Sequence, residues 1–165
     1  MPRGRTRALL KVQDGCDNYC TYCIIPYARG HIRSLPVRAA VEQAEQLARD
    51  GVHEIVLTGI EISSYGRDLD GGTDLVALIE AVCRAVPQVR VRLSSLEPRT
   101  ADARFCEMLS GIPNLMPHFH LSLQSGCDSV LRRMKRRYTT AQFLENVERL
   151  RMAFPDCSIT TDLIT

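Results

Sequence analysis

The sequence predicts an α/β fold built on a parallel sheet, and three observations carry that prediction. Short β-branched or alternating runs recur along the chain. Stretches with apolar residues at helical spacing separate them, and the polar and glycine-rich residues gather just after each run. Such alternation makes right-handed βαβ units, which an open doubly wound sheet and a barrel both satisfy. At 165 residues the chain can bury one core and is short for two.

The elements follow in order. Arg7 to Gln13 reads as a first strand, and a long loop to Pro36 holds three cysteines. Val37, Val41, Ala44, Leu47 and Ala48 recur at helical spacing, with Gly51 where a helix C-terminus needs it. Glu54 to Thr58 is a second strand. Leu75 to Val86 is a helix stopped by Pro87, and Arg90 to Ser95 a third strand. Ala101 to Leu109 is a short helix. His118 to Leu123 is a fourth strand, two helical pieces run over Ser129 to Lys135 and Thr140 to Phe154, and Ser158 to Ile164 is a fifth strand.

Composition excludes more than it assigns. A net charge of +2 gives no bulk argument for nucleic acid, so any basic footprint is local. No run reaches the roughly 20 apolar residues of a membrane helix, and the basic N-terminus lacks a secretion signal's apolar stretch; the cytoplasm is the expected location. Seven cysteines, an odd number, argue against a closed disulfide framework. In a reducing compartment, clustered cysteines point to metal.

The cluster is DGCDNYCTYCIIPYARG: Cys16, Cys20 and Cys23, spaced Cys-x3-Cys-x2-Cys, with the next candidate ligand, His31, eight residues on. Three thiolates in one polar loop can converge on one centre. Structural zinc wants four ligands, usually as two pairs, and thiolate-rich sites suit zinc and iron–sulfur clusters about equally. A [4Fe–4S] cluster on three cysteines leaves one iron open to a substrate, outside the usual four-cysteine ligation. A zinc-stabilised α/β binding module without catalysis is the alternative of another class.

Cys16-x3-Cys20-x-Tyr22-Cys23 resembles the signature of radical S-adenosylmethionine enzymes, and the longer CTYCIIPYARGHIRS resembles the methylthiotransferases among them. LTGIEISSYG, RLSSLEP and HLSLQSGCDSVLRRMKRRYT agree. RLSSLEP and the RRYT ending resemble the branch that modifies N6-threonylcarbamoyladenosine 3′ to the anticodon of tRNA. Siblings acting on isopentenyladenosine in tRNA or on a ribosomal-protein aspartate are the alternatives within the family.

The resemblance covers the whole chain and implies a partial (β/α)6 TIM-like barrel, here ending after about five strands. Residues 1–165 would then be the radical core of a longer polypeptide, without the family's N-terminal methylthiotransferase domain and its second cluster, and without its C-terminal TRAM-like RNA-binding domain. It implies a [4Fe–4S] cluster on Cys16, Cys20 and Cys23 and S-adenosylmethionine as cofactors. One electron breaks the sulfonium bond, and the resulting 5′-deoxyadenosyl radical takes hydrogen from the adenine carbon to be thiolated. The implied contacts to S-adenosylmethionine are Tyr22; Thr58, Gly59 and Glu61; Ser94, Ser95 and Glu97; and Gln124 and Ser125. The implied partners are tRNA, through the full-length protein, and a reductant such as flavodoxin or ferredoxin, with the protein a monomer.

Other residues are read from the sequence alone. The basic run Arg132, Arg133, Lys135, Arg136 and Arg137 fits tRNA phosphates or a solvated helix face, and Arg136 or Arg137 also fits a cofactor carboxylate. Arg29 and Arg33 are expected at the active mouth. Cys83 and Cys106 are expected in the core, and Cys127 and Cys157 near the pocket. His118 and His120 share one side of their strand in a structural role.

Overall fold

The computed structural model describes residues 6–164; the basic N-terminal residues 1–5 and Thr165 lie outside them. β1 (Arg7–Lys11) leads into a two-residue strand, β2 (Gln13–Asp14). The short helix α1 (Ile25–Arg29) and β3 (Arg33–Ser34) follow, then α2 (Val37–Arg49), β4 (Glu54–Thr58), α3 (Leu75–Ala85) and β5 (Arg90–Leu93). The chain continues through α4 (Ala103–Leu109), β6 (His118–His120), α5 (Asp128–Arg133), α6 (Thr140–Ala153) and β7 (Ser158–Thr160). Single 3₁₀ turns at Ile62–Ser64 and Pro98–Thr100 follow β4 and β5.

β1, β4 and β5 pair in parallel, in register from Arg7–Glu54–Arg90 upward. β6 and β7 also pair in parallel, and bridges between Val91 and Leu115 and between Leu96 and Leu121 join the two groups. Strand order therefore follows chain order, as in a barrel opened along one side rather than a doubly wound sheet. The loop expected between the first strand and Pro36 is more ordered than its sequence suggested: Pro26 supplies a preset φ at the start of α1, and β2 pairs antiparallel with β3. The third, fourth and fifth strands are shorter than their alternating runs, ending at Leu93, His120 and Thr160. Beyond Leu93 and His120 the backbone keeps only bridging bonds, such as Leu96 N–H to His120 O at 2.8 Å.

One face of the strands is the core. Ile55 and Leu57 of β4, Val91 and Leu93 of β5 and Phe119 of β6 are buried with Ala40, Ala44 and Leu47 of α2 and Leu78, Ile79 and Val82 of α3. Phe119 meets Phe105 and Phe154 edge to face, with centroids 6.1 and 4.9 Å apart. Cys83 and Cys106 are buried here, as expected. Three helix starts are capped by side chains: Asp74 and Asp102 accept from Ala77 and Phe105 on α3 and α4, and Thr139 and Gln142 form a capping box on α6. At the end of α2, Gly51 takes a φ of 82°.

The opposite face is polar. Glu54 is buried between Arg7, Arg90 and Arg92, with N–O distances of 2.5, 3.7 and 3.4 Å. His118 and His120 share this side while Phe119 faces the core. His120 bonds Thr160 through Nδ1 at 3.0 Å and approaches Asp162 at 3.4 Å.

Candidate functional site

The cysteines follow β1 and β2 in a loop braced from within. Gly15 turns with a φ of 73°, and the backbone of His31 passes directly over it. Cys16 N–H donates to Gly30 O at 3.1 Å, and Asp17 accepts from Ile32 N–H (3.5 Å) and bonds His31 Nδ1 (2.7 Å). Cys23 N–H closes a turn on Cys20 O at 3.0 Å. Tyr19 takes the left-handed conformation, with a φ of 49°, and its ring packs edge to face on Tyr27.

Gln13 fastens this loop to the one after β4. Its buried amide donates to Gly15 O (2.7 Å) and Asp14 O (3.0 Å), and its Oε1 accepts from Glu61 N–H at 2.9 Å. A Cβ on Gly59 would come within 2.9 Å of three Gln13 atoms, so Gly59 permits the close approach of the two loops.

Cys16, Cys20 and Cys23 line one cavity of about 140 Å³ at the carboxyl ends of the strands, with Tyr22, Glu61, Ser95, Glu97 and Gln124. Thr58, Gly59, Ser94 and Ser125, also expected to touch the cofactor, do not line it. Thr58 takes part through its carbonyl, which accepts from Val12 N–H; Ser94 N–H donates to Leu57 O; and Ser125 Oγ accepts from Cys127 N–H at 3.3 Å. Asn18, Ser122 and Arg136 also line the cavity. Arg29 and Arg33 do not: Arg33 braces its own loop by donating to the carbonyls of Arg29 and His31. A larger hollow of about 540 Å³, sharing Glu97 with the cavity, contains no cysteine.

Burial pushes the Cys16 thiol above its ordinary value, outweighing a backbone hydrogen bond from Asn18. Glu61 is more telling. Burial raises its carboxyl against the opposing hydrogen bonds from Ser64 and Ser63. Its Oε2 accepts from Ser64 while its Oε1 is buried without a partner. Because the folded carboxyl titrates above its ordinary 4.5, the folded chain holds a proton that the unfolded chain releases. Stability attributable to Glu61 is therefore full below 4.5 and lost as pH rises through the folded value. Glu61→Gln is expected to raise the melting temperature of the metal-free chain at pH 7.5, with the gain shrinking as pH falls toward 4.5. A gain that persisted unchanged at low pH would show that ionisation is not its source.

The open parallel barrel with three thiols and a buried, half-partnered carboxylate at its strand ends defines a class. The sequence pattern of the Radical SAM superfamily matches residues 10–165, and the chain belongs to that superfamily. Among curated relatives it is similar to the threonylcarbamoyladenosine tRNA methylthiotransferase MtaB of Rickettsia prowazekii, 42% identical over 98% of this chain and 38% of the relative. It is also similar to the tRNA-2-methylthio-N(6)-dimethylallyladenosine synthase of Anaeromyxobacter dehalogenans, 42% identical over 98% of this chain and 34% of the relative. The chain thus spans little more than a third of either relative's length. Among solved structures it superposes on the cobalamin-dependent S-adenosylmethionine radical enzyme OxsB with a TM-score of 0.75 at 16% identity, over 94% of this chain and 23% of that one. This last likeness shows the fold alone.

Proposed function

We propose that this chain is the S-adenosylmethionine-cleaving core of a tRNA methylthiotransferase, with Cys16, Cys20 and Cys23 holding a [4Fe–4S] cluster. The convergence of the three thiols on one cavity with the unpartnered, buried Oε1 of Glu61 carries this reading. Among the described residues no three His, Cys, Asp or Glu side chains stand close enough to share a single metal ion. Three thiolates that each bind a different iron need not do so, and the donor set fits a cluster better than zinc. When bound, the cluster supplies the electron that breaks the sulfonium bond of S-adenosylmethionine.

The chain's own residues do the rest. Glu61 would accept from the ammonium group of the methionine moiety through Oε1, the carboxylate oxygen that Ser64 leaves without a partner. Ser95, Glu97 and Gln124 offer acceptors along the same wall for the ribose hydroxyls, and Tyr22 offers a ring beside Cys20 and Cys23 for the adenine. Ile25, Ile60 and Leu96 keep water from the apolar part of the wall.

The substrate reading is N6-threonylcarbamoyladenosine in tRNA, supported by 41–43% identity to three relatives of that name. Dimethylallyladenosine in tRNA is the second reading, favoured by the 42% relative. In the cell we infer a cytoplasmic monomer reduced by a flavodoxin or ferredoxin; among the described residues no helix is long and apolar enough to cross a membrane.

The test is anaerobic reconstitution with iron and sulfide, reduction, and addition of S-adenosylmethionine. Methionine and 5′-deoxyadenosine are expected in equal amounts. Stoichiometric zinc, no iron uptake and no nucleoside product would overturn the reading.

A further inference from the structure

The basic run after α5 is not one surface. Arg132, Arg133, Lys135 and Arg137 are exposed, and Arg136 is not. Helix α5 ends at Arg133, and Lys135 takes a φ of 59°, a left-handed turn that a side chain adopts at a cost. That turn swings Arg136 inward. Its Nε donates to the Tyr138 hydroxyl at 3.0 Å, its Nη2 to Ser122 O at 3.1 Å, and its Nη1 to Cys20 Sγ at 3.6 Å. The guanidinium also lies over the Tyr138 ring, 5.0 Å from its centroid, and the Tyr138 hydroxyl is fixed in turn by the carbonyls of Ser122 and Leu123 at 2.7 and 2.6 Å. The same segment grips the cysteine loop through its backbone: Met134 O accepts from Thr21 N–H at 3.3 Å and Arg133 O from Thr21 Oγ1 at 3.0 Å.

We propose that Arg136 is a positioning residue that sets the reduction potential of the cluster, through its N–H···S bond to Cys20 and a permanent positive charge beside that sulfur. Hydrogen bonds to cluster sulfurs and local charge are among the protein's means of tuning such potentials. Arginine suits the task because it stays charged at every working pH and its planar fork serves three partners at once. The step concerned is the uptake of one electron from a low-potential one-electron reductant. No bond forms or breaks, the cluster becomes more negative by one charge, and the neighbouring guanidinium favours that form.

The inference rests on the cluster assignment proposed above. The full chain and its Arg136→Gln, Arg136→Lys and Thr21→Val variants are reconstituted without oxygen, assayed for iron and sulfide, and titrated with dithionite under electron paramagnetic resonance. At a fixed potential, the ratio of reduced to oxidised cluster is expected to fall about tenfold in Arg136→Gln, or about 59 mV for one electron. A lysine ammonium cannot reach Cys20, Ser122 and Tyr138 together, so Arg136→Lys is expected to lose about threefold by the same mechanism. Thr21→Val loosens the loop without changing charge and is expected to titrate as wild type. Arg136→Gln titrating with wild type would overturn the inference, as would a shift of equal size in Thr21→Val. If Arg136→Gln takes up no iron, Arg136→Lys decides on the same terms, and no shift overturns the inference. Failure of the wild-type chain itself to take up iron would instead overturn the cluster assignment, which the iron assay distinguishes.

Discussion

Cys20→Ala is expected to come out of anaerobic reconstitution without its iron. Cys20 lines the cavity with Cys16 and Cys23, its Sγ accepts from Arg136 and its carbonyl from Cys23 N–H. Loss of an outer-shell partner costs a metal site about 10–100-fold in affinity, so loss of a thiolate itself should cost at least about 100-fold. Cys83→Ala is the matched control. Cys83 sits in the core on α3, its thiol pushed up to about 12 by burial, and its removal is expected to leave iron content unchanged. Iron and sulfide analysis of the two proteins checks both statements; a full complement of iron in Cys20→Ala would remove that residue from the ligand set.

Gly15→Ala is expected to be as damaging by another route. A Cβ at position 15 would stand 1.9 Å from His31 O, and the backbone there is held by Ile32 N–H donating to Asp17 and by the β2–β3 pairing that follows. A positive φ costs an alanine about 1–2 kcal/mol, and an overpacked contact about 1–3 kcal/mol. Together they predict a loss of about 2–5 kcal/mol in urea denaturation, with weaker iron uptake because Cys16 is the next residue. Gly111→Ala meets nothing within 4 Å and is expected to stay within about 0.5 kcal/mol of wild type. Equal stabilities for the two variants would show that the crossing at Gly15 yields easily.

Much of the fold is legible in the sequence where a single period dominates. Val37 to Ala48 and Leu75 to Val86 repeat every three to four residues, and the observed helices begin where those patterns do. Glu54 to Thr58 is a strand of the predicted length because Ile55 and Leu57 alternate cleanly into the core. Arg90 to Ser95 and His118 to Leu123 keep alternating after their strands stop, since the pattern cannot register where a neighbouring strand ceases to pair. Spacing singles out the three cysteines, likeness to a family adds Tyr22, Glu61, Ser95, Glu97 and Gln124, and all eight line one cavity.

What stayed hidden depends on backbone conformation or on partners far along the chain. Gln13 reads as the end of a strand, and its part in joining two loops exists only once Glu61 is brought beside it. The reason for a glycine at position 59 is likewise not in the sequence: the space a Cβ would need there is taken by Gln13. The sequence leaves Arg136 and Arg137 as equal candidates for the pocket, because nothing in it announces the left-handed turn at Lys135. Proximity to the cysteines and arginine chemistry put Arg29 and Arg33 at the mouth, but neither fixes the direction of a side chain, and Arg33 turns to the carbonyls of Arg29 and His31.

The grip of Arg133 and Met134 on Thr21 has a consequence for biogenesis. It spans 112 positions in sequence, a separation that delays closure relative to local structure. The cysteines are made before the part of the wall against which they close that includes Ser122, Gln124 and Arg136. Until Arg136 is made and α5 has docked, the thiols stand in an unfinished loop, open to solvent and oxidants. Loading of the proposed cluster is therefore expected after folding of this unit, and a nascent chain arrested before Arg136 would present its three cysteines without the side chain that bonds Cys20.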